Sequence, residues 1–165
     1  WTMAVDMFLI LDTITGESQD SVMGPKNAMD ILAWSWGMSQ SGTTHMGSGG
    51  GAGKVNVQDI SVTKYVDKAS PPLMKCCCKG THLATGSLTV RKAGDTPLDY
   101  IVIDLQEILI TAVSTGGSGG EDRLTENVTL NFREFHYTYT PQGATGGAGQ
   151  GNLDGKWDIA LNAEA

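Results

Sequence analysis

A chain of 165 residues is long enough to bury a core of its own without disulfide or metal staples, and it reads as one domain. Its 18 Asp/Glu against 11 Lys/Arg give a formal net charge of −7, and the absence of any Lys/Arg cluster removes the basic footprint that a nucleic-acid partner requires. The longest apolar run, MFLIL at Met7 to Leu11, is too short to cross a bilayer, and no basic start, apolar stretch and small-residue cleavage site opens the chain. A protein made in the cytoplasm, with no membrane insertion, is expected.

Strand signals dominate, in the order Val5 to Ile14, Asp30 to Gln40, Val55 to Val66, Leu88 to Lys92, Tyr100 to Ser114, Asn127 to Thr140 and Trp157 to Leu161. One helix stands out at SPPLMKCCCKG, with Ser70 as N-cap, Pro71 at the first helical position and Gly80 as the stop. Leu73, Met74 and Cys77 would form its buried stripe, and Lys68, Lys75 and Lys79 its solvated face. Residues 3–165 are expected to form the single domain. Trp1 and Thr2, ahead of Met3, stand outside it, and residues 143–155 read as a flexible, glycine-rich low-complexity segment.

Several strands change phase midway, whereas an ordinary flat strand keeps one apolar face with a period of two. Ile101, Ile103 and Leu105 share a parity that Ile108, Ile110 and Ala112 then reverse. Val128, Leu130 and Phe132 give way to Phe135, Tyr137 and Tyr139, and Val55 and Val57 give way to Ile60 and Val62. Bulges near Gln106, Arg133 and Gln58 would explain this, because a bulge bends a strand so that a sheet can close. The expectation is a mainly β fold: a closed or nearly closed antiparallel β-barrel of two sheets with one flanking α-helix.

The glycine-dense run from Gly42 to Gly53 ends in Gly53-Lys54 and invites a phosphate-loop reading, which fails on spacing. Ser48 stands where a Walker loop needs glycine, Val55 where it needs a metal-binding hydroxyl, and the following KVNVQDISVTKYV alternates like a strand instead of opening a helix. The run is a long connection between strands. Cys76, Cys77 and Cys78 diverge by about 100° each on a helix, so they cannot meet on one zinc ion and read as structural thiols. His45, His82 and His136 are scattered. No catalytic constellation, cofactor motif or metal-ligand spacing can be argued. Trp34, Trp36 and Met38 alternate with Ala33, Ser35, Gly37 and Ser39, giving one heavy face that suits a core and one small polar face that suits a smooth wall.

The segments ILAWSWGMSQSG, GGGAGKVNVQD, LTVRKAG and STGGSGGEDRLTENVTLNF resemble Hcp, the hemolysin co-regulated protein family of bacterial type VI secretion systems, from Met3 to about Pro141, with a weaker echo in GKWDIALNAEA. The resemblance implies a β-barrel with one flanking helix, assembled as a homo-hexameric ring. Such rings stack into the inner tube of a contractile injection machine, inside a sheath and behind a VgrG tip, and leave the cell without a signal peptide. It also implies small effectors carried in the ring lumen, with Ser35 and Ser118 facing that lumen. Gly42, Thr43, Thr44, His45, Met46, Gly47 and Gly50, in the protruding loop, are expected to make ring or inter-ring contacts. Glu121, Asp122 and Arg123 are expected to form a loop ion pair or a ring contact.

Departures from the family pattern lie at Asn27 to Met29, in the cysteine triplet and at Lys79 to Thr85, which bears on partner and effector specificity. Some relatives carry a toxin domain after the barrel; none is expected within the residues up to Ala165. The competing readings are a stand-alone lectin-like barrel that stacks sugars on Trp34 and Trp36, and a hydrolase or nucleotide-dependent enzyme.

Overall fold

The computed structural model describes residues 5–45, 53–92, 97–143, 149 and 151–165. Strands β1 (Val5–Leu11), β2 (Met29–Ser35), β3 (Met38–Ser39), β4 (Asn56–Val57) and β5 (Ile60–Tyr65) precede helix α1 (Ser70–Lys79). Strands β6 (His82–Lys92), β7 (Leu98–Thr115), β8 (Thr125–Tyr139) and β9 (Leu153–Asp158) follow it. The main sheet runs β5-β2-β1-β6-β7-β8-β9, all neighbours antiparallel, and β5 also pairs with β8. That last pairing closes the strands from β5 to β8 into a barrel, and β3 with β4 forms a separate two-stranded ribbon.

Strand β8 serves both parts of the sheet. Its residues Thr125 to Leu130 face β5 across the closing seam, and its residues Glu134 to Tyr139, still paired with β7, carry β9 on their other side. The change of parity expected near Arg133 lies between the two: Leu130, Phe132 and Phe135 are all buried, and Arg133 and Glu134 are not. Opposite, Leu105 and Ile108 are buried across an exposed Gln106-Glu107 pair, and Glu107 takes a left-handed backbone, φ 52°. Both strands bend together, since Gln106 still faces Glu134 and Ile108 still faces Phe132. The ladders slip elsewhere, at Ile31/Ala33, Val90/Arg91 and Ile110/Ala112. Near Gln58 the chain leaves β4 and re-enters the sheet as β5.

The core fills the barrel with Leu9, Leu11, Met29, Ile60, Val62, Leu88, Ile103, Leu105, Ile108, Ile110, Val128 and Leu130, and α1 adds Leu73. Strand β1 is apolar on both faces because its outward Phe8 and Ile10 pack under Met23 and Ala28 of the chain's own 12–28 loop. That loop is pinned by Arg91, which donates from both guanidinium amino nitrogens to Asp20 and stacks over Phe8 at 4.8 Å. The Arg91 hydrogen bond, helped by the Met23 and Val22 backbone N–H groups, holds the Asp20 carboxyl well below the usual carboxylate range.

Several element boundaries differ from the sequence expectation. Asp30 to Gln40 is broken at Trp36-Gly37, and Met38, expected on the heavy face, is 47% exposed. Strand β6 begins at His82, well before Leu88, and β9 begins at Leu153, inside the segment read as low-complexity. Gly80 stops α1 in a left-handed conformation as expected, with Lys68, Lys75 and Lys79 exposed. Ser70 is not the N-cap: it is the first helical residue, and its hydroxyl donates to Glu126 Oε1 at 2.6 Å. Met74 is exposed, so the buried side of α1 is Leu73 with half-buried Cys76 and Cys77.

Candidate functional site

The small polar face of β2 continues across neighbouring strands. Ser35 stands opposite Ser61, Ser61 opposite Thr129 and Thr129 opposite Ala112. On the next rung Ala33, Thr63, Asn127 and Ser114 align in the same way. None of these side chains is buried. The intervening rung, Trp34, Val62, Val128 and Val113, turns inward to the core, as strand alternation demands. The outer wall of β2-β5-β8-β7 is therefore paved with methyls, hydroxyls and amides. Thr63 Oγ1 donates to Asn127 Oδ1 at 2.7 Å, and Asp59 accepts from Thr111 Oγ1 and Asn131 Nδ2, each at 2.9 Å.

Ser35 is exposed on this wall, between Trp34 and Trp36, whose half-buried rings pack against the core. Trp36 lies edge-on to Phe135 at 4.8 Å and to Phe132 at 5.9 Å, and its Nε1 donates to the Gln58 carbonyl at 2.8 Å. Ser118 is exposed in the turn between β7 and β8, where its carbonyl accepts from Glu121 N at 3.2 Å. A shallow depression of about 350 Å³ joins Ser118 and Glu121 to Ser114 and Asn127 of the wall. Ser61, Thr63, Asn127, Thr129 and Ser114 were missed as a group by sequence reasoning. Their parity within each strand was readable, but the order of strands that sets them side by side was not.

Gly42, Thr44 and His45 are exposed and Thr43 is half-buried, beyond the β3-β4 ribbon where Met38 pairs with Val57. Met46, Gly47 and Gly50 lie outside the described residues. Glu121, Asp122 and Arg123 are exposed, but the loop ion pair is not formed. Arg123 stacks instead on Tyr65, its guanidinium carbon 3.7 Å from the ring centre. Cys76, Cys77 and Cys78 are free thiols. No helix among the described residues is long and apolar enough to cross a membrane.

The fold is thus a closed antiparallel barrel with one flanking helix and a small polar outer wall. The family model for "Type VI secretion system effector, Hcp" matches residues 8–139, so the chain belongs to the Hcp family of type VI secretion proteins. Over 164 residues it is 54% identical to Protein hcp1 of Pseudomonas aeruginosa, covering 99% of this chain and 100% of that one. Among solved structures it is similar to Hcp1 from Salmonella typhimurium, with TM-score 0.79, 35% identity, and 99% and 100% of the two chains covered. A structure described as a type six secretion system protein superposes with TM-score 0.91 at 26% identity, over 98% of this chain and 100% of that one.

Proposed function

We propose that this chain is a non-enzymatic subunit of the type VI secretion inner tube. It assembles as a homo-hexameric ring, the rings stack, and small effectors travel in the lumen against the wall that carries Ser35, with Ser118 at its end. The contractile sheath and a VgrG tip are its partners in the machine. It waits in the cytoplasm before firing and reaches the outside with the tube, without a signal peptide. Gly42, Thr43, Thr44 and His45, beyond the β3-β4 ribbon, contribute to a ring or inter-ring contact.

The observation that carries this reading is the paved outer wall. A face of exposed or half-buried Ser, Thr, Asn and Ala across four strands offers weak, varied hydrogen bonding and no deep pocket, which suits a surface that cargo must leave as well as occupy. Exposed apolar side chains elsewhere on the chain, among them Val66, Leu153 and Leu161, offer surface for subunit contacts. Light scattering on the purified protein is expected to give a mass about six times the 17.4 kDa chain, the expectation for a closed ring of this family. A monomer at micromolar concentration rejects the reading.

A further inference from the structure

The chain has three arginines, in unlike settings. Arg91 is bound by Asp20 and lies 3.5 Å from Asp6, and Arg133 reaches Glu107 and Asp158, each at 3.4 Å. Arg123 has no ion-pair partner among the described residues, although Glu121 and Asp122 are its immediate neighbours in sequence. Its guanidinium carbon lies over the Tyr65 ring, 3.7 Å from the ring centre. The backbone on either side holds it there. Val66 N donates to the Leu124 carbonyl at 2.9 Å, and the Leu124 side chain covers Gly117 so closely that a Cβ there would fall 2.8 Å from Leu124 Cδ2.

An arginine held against an aromatic face and anchored through the next residue has lost much of its rotamer freedom before any partner arrives. Stacking occupies the face of the guanidinium and leaves the in-plane N–H groups at its rim to bond elsewhere. Those groups form the fork that matches a carboxylate bidentately. Arg123 and its loop are exposed. A second copy of the chain would offer it an excess of carboxylates, 18 Asp/Glu against 11 Lys/Arg over the whole sequence.

We infer that Arg123, held on Tyr65, presents its guanidinium edge to a carboxylate of a second copy of this chain, and that Tyr65 is the positioning residue for that contact. The inference rests on the ring reading above and assigns one of its contacts.

The test is a dilution series by light scattering, with thermal melts of each protein, on the natural chain, Arg123→Gln, Tyr65→Phe and Tyr65→Leu. Arg123→Gln is expected to melt like the natural protein but to dissociate at a protein concentration about tenfold higher or more. Tyr65→Phe keeps the ring face and is expected to assemble normally. Tyr65→Leu keeps apolar bulk but no π face, and is expected to weaken assembly as Arg123→Gln does. If Arg123→Gln rings hold together as well as natural ones, the carboxylate contact is overturned and the ring reading stands. Equal behaviour of the Phe and Leu variants overturns the positioning role of Tyr65. A natural chain that is monomeric throughout overturns the ring reading and this contact with it.

Discussion

Lys64 on β5 and Glu126 on β8 stand opposite each other in the seam that closes the barrel, and their charged atoms meet at 2.6 Å with neither side chain exposed. Lys64 Nζ also donates to Asp67 Oδ1 at 2.8 Å and to the Tyr65 carbonyl at 2.9 Å, and the Ser70 hydroxyl binds the same Glu126 oxygen. One cluster thus ties both strands of the seam to the first turn of α1. Lys64→Met leaves the Glu126 charge buried without its cation and is expected to cost about 3–5 kcal/mol. Lys64→Met combined with Glu126→Leu replaces the pair by apolar volume and is expected to recover most of that loss. Urea denaturation of the single and double variants checks this, and a double variant no more stable than the single one contradicts it.

Asp20 makes stability depend on pH at the acid end. Its folded carboxyl titrates below the ordinary 3.8, so its contribution is complete above about pH 4 and is lost as the pH falls further through the folded value. Asp20→Asn is expected to be about 1–2 kcal/mol less stable than the natural protein at neutral pH, through the weakened bond to Arg91. The gap should narrow below about pH 4. Denaturation curves at a series of pH values read this directly, and a gap that stays constant down to pH 2 rules it out.

Trp36 is engaged on its ring edges by Phe132 and Phe135 and at Nε1 by the Gln58 carbonyl. Trp36→Ala is expected to cost about 3 kcal/mol, as truncation of a large aromatic in a packed cluster does. The same variant separates the sugar-stacking reading from a packing role. A stable variant whose only defect is lost glycan binding would restore the former.

Ser35→Arg adds volume and charge on an exposed face, so folding stability is expected to change by no more than about 0.5 kcal/mol. Effector retention or export is expected to fall, because the wall is no longer small and neutral. Melting temperature and co-purification of a tube-borne effector measure the two effects separately. A variant that carries effectors normally removes Ser35 from the contact surface.

Where the sequence was legible, the reason was local. The parity changes near Gln106 and Arg133, Pro71 at the head of α1 and Gly80 at its stop are all rules about neighbouring residues. What escaped depended on residues far along the chain. HLATGS, the first half of β6, has weak strand character, and it becomes strand because Gly86 leaves room for Leu11 and Ile108 from the adjoining strands. Ser70 looked like a cap until its hydroxyl found Glu126, 56 residues away. Lys64 shares the inward parity of Ile60 and Val62, a signal that a charge had been placed in the core, but nothing nearby announced its partner. In the candidate site, Ser35 and Ser118 could be named one at a time, and the wall they belong to required the β5-β8 pairing.

The same pairing sets an order of events when the chain folds. Strands β6, β7 and β8 follow one another and can zip as neighbours, whereas the seam must bring together Lys64 and Glu126, 62 residues apart. Such long-range pairing is the slow part of folding for β-rich chains, on the order of milliseconds to seconds. Until it forms, β5 and β8 each present an unpaired edge. The supply of subunits competent to join a ring is then governed by seam closure. Refolding followed by stopped-flow fluorescence should slow when Tyr65 or Val128, both in the seam, is truncated, and should be indifferent to changes at Leu153, at the far end of β9.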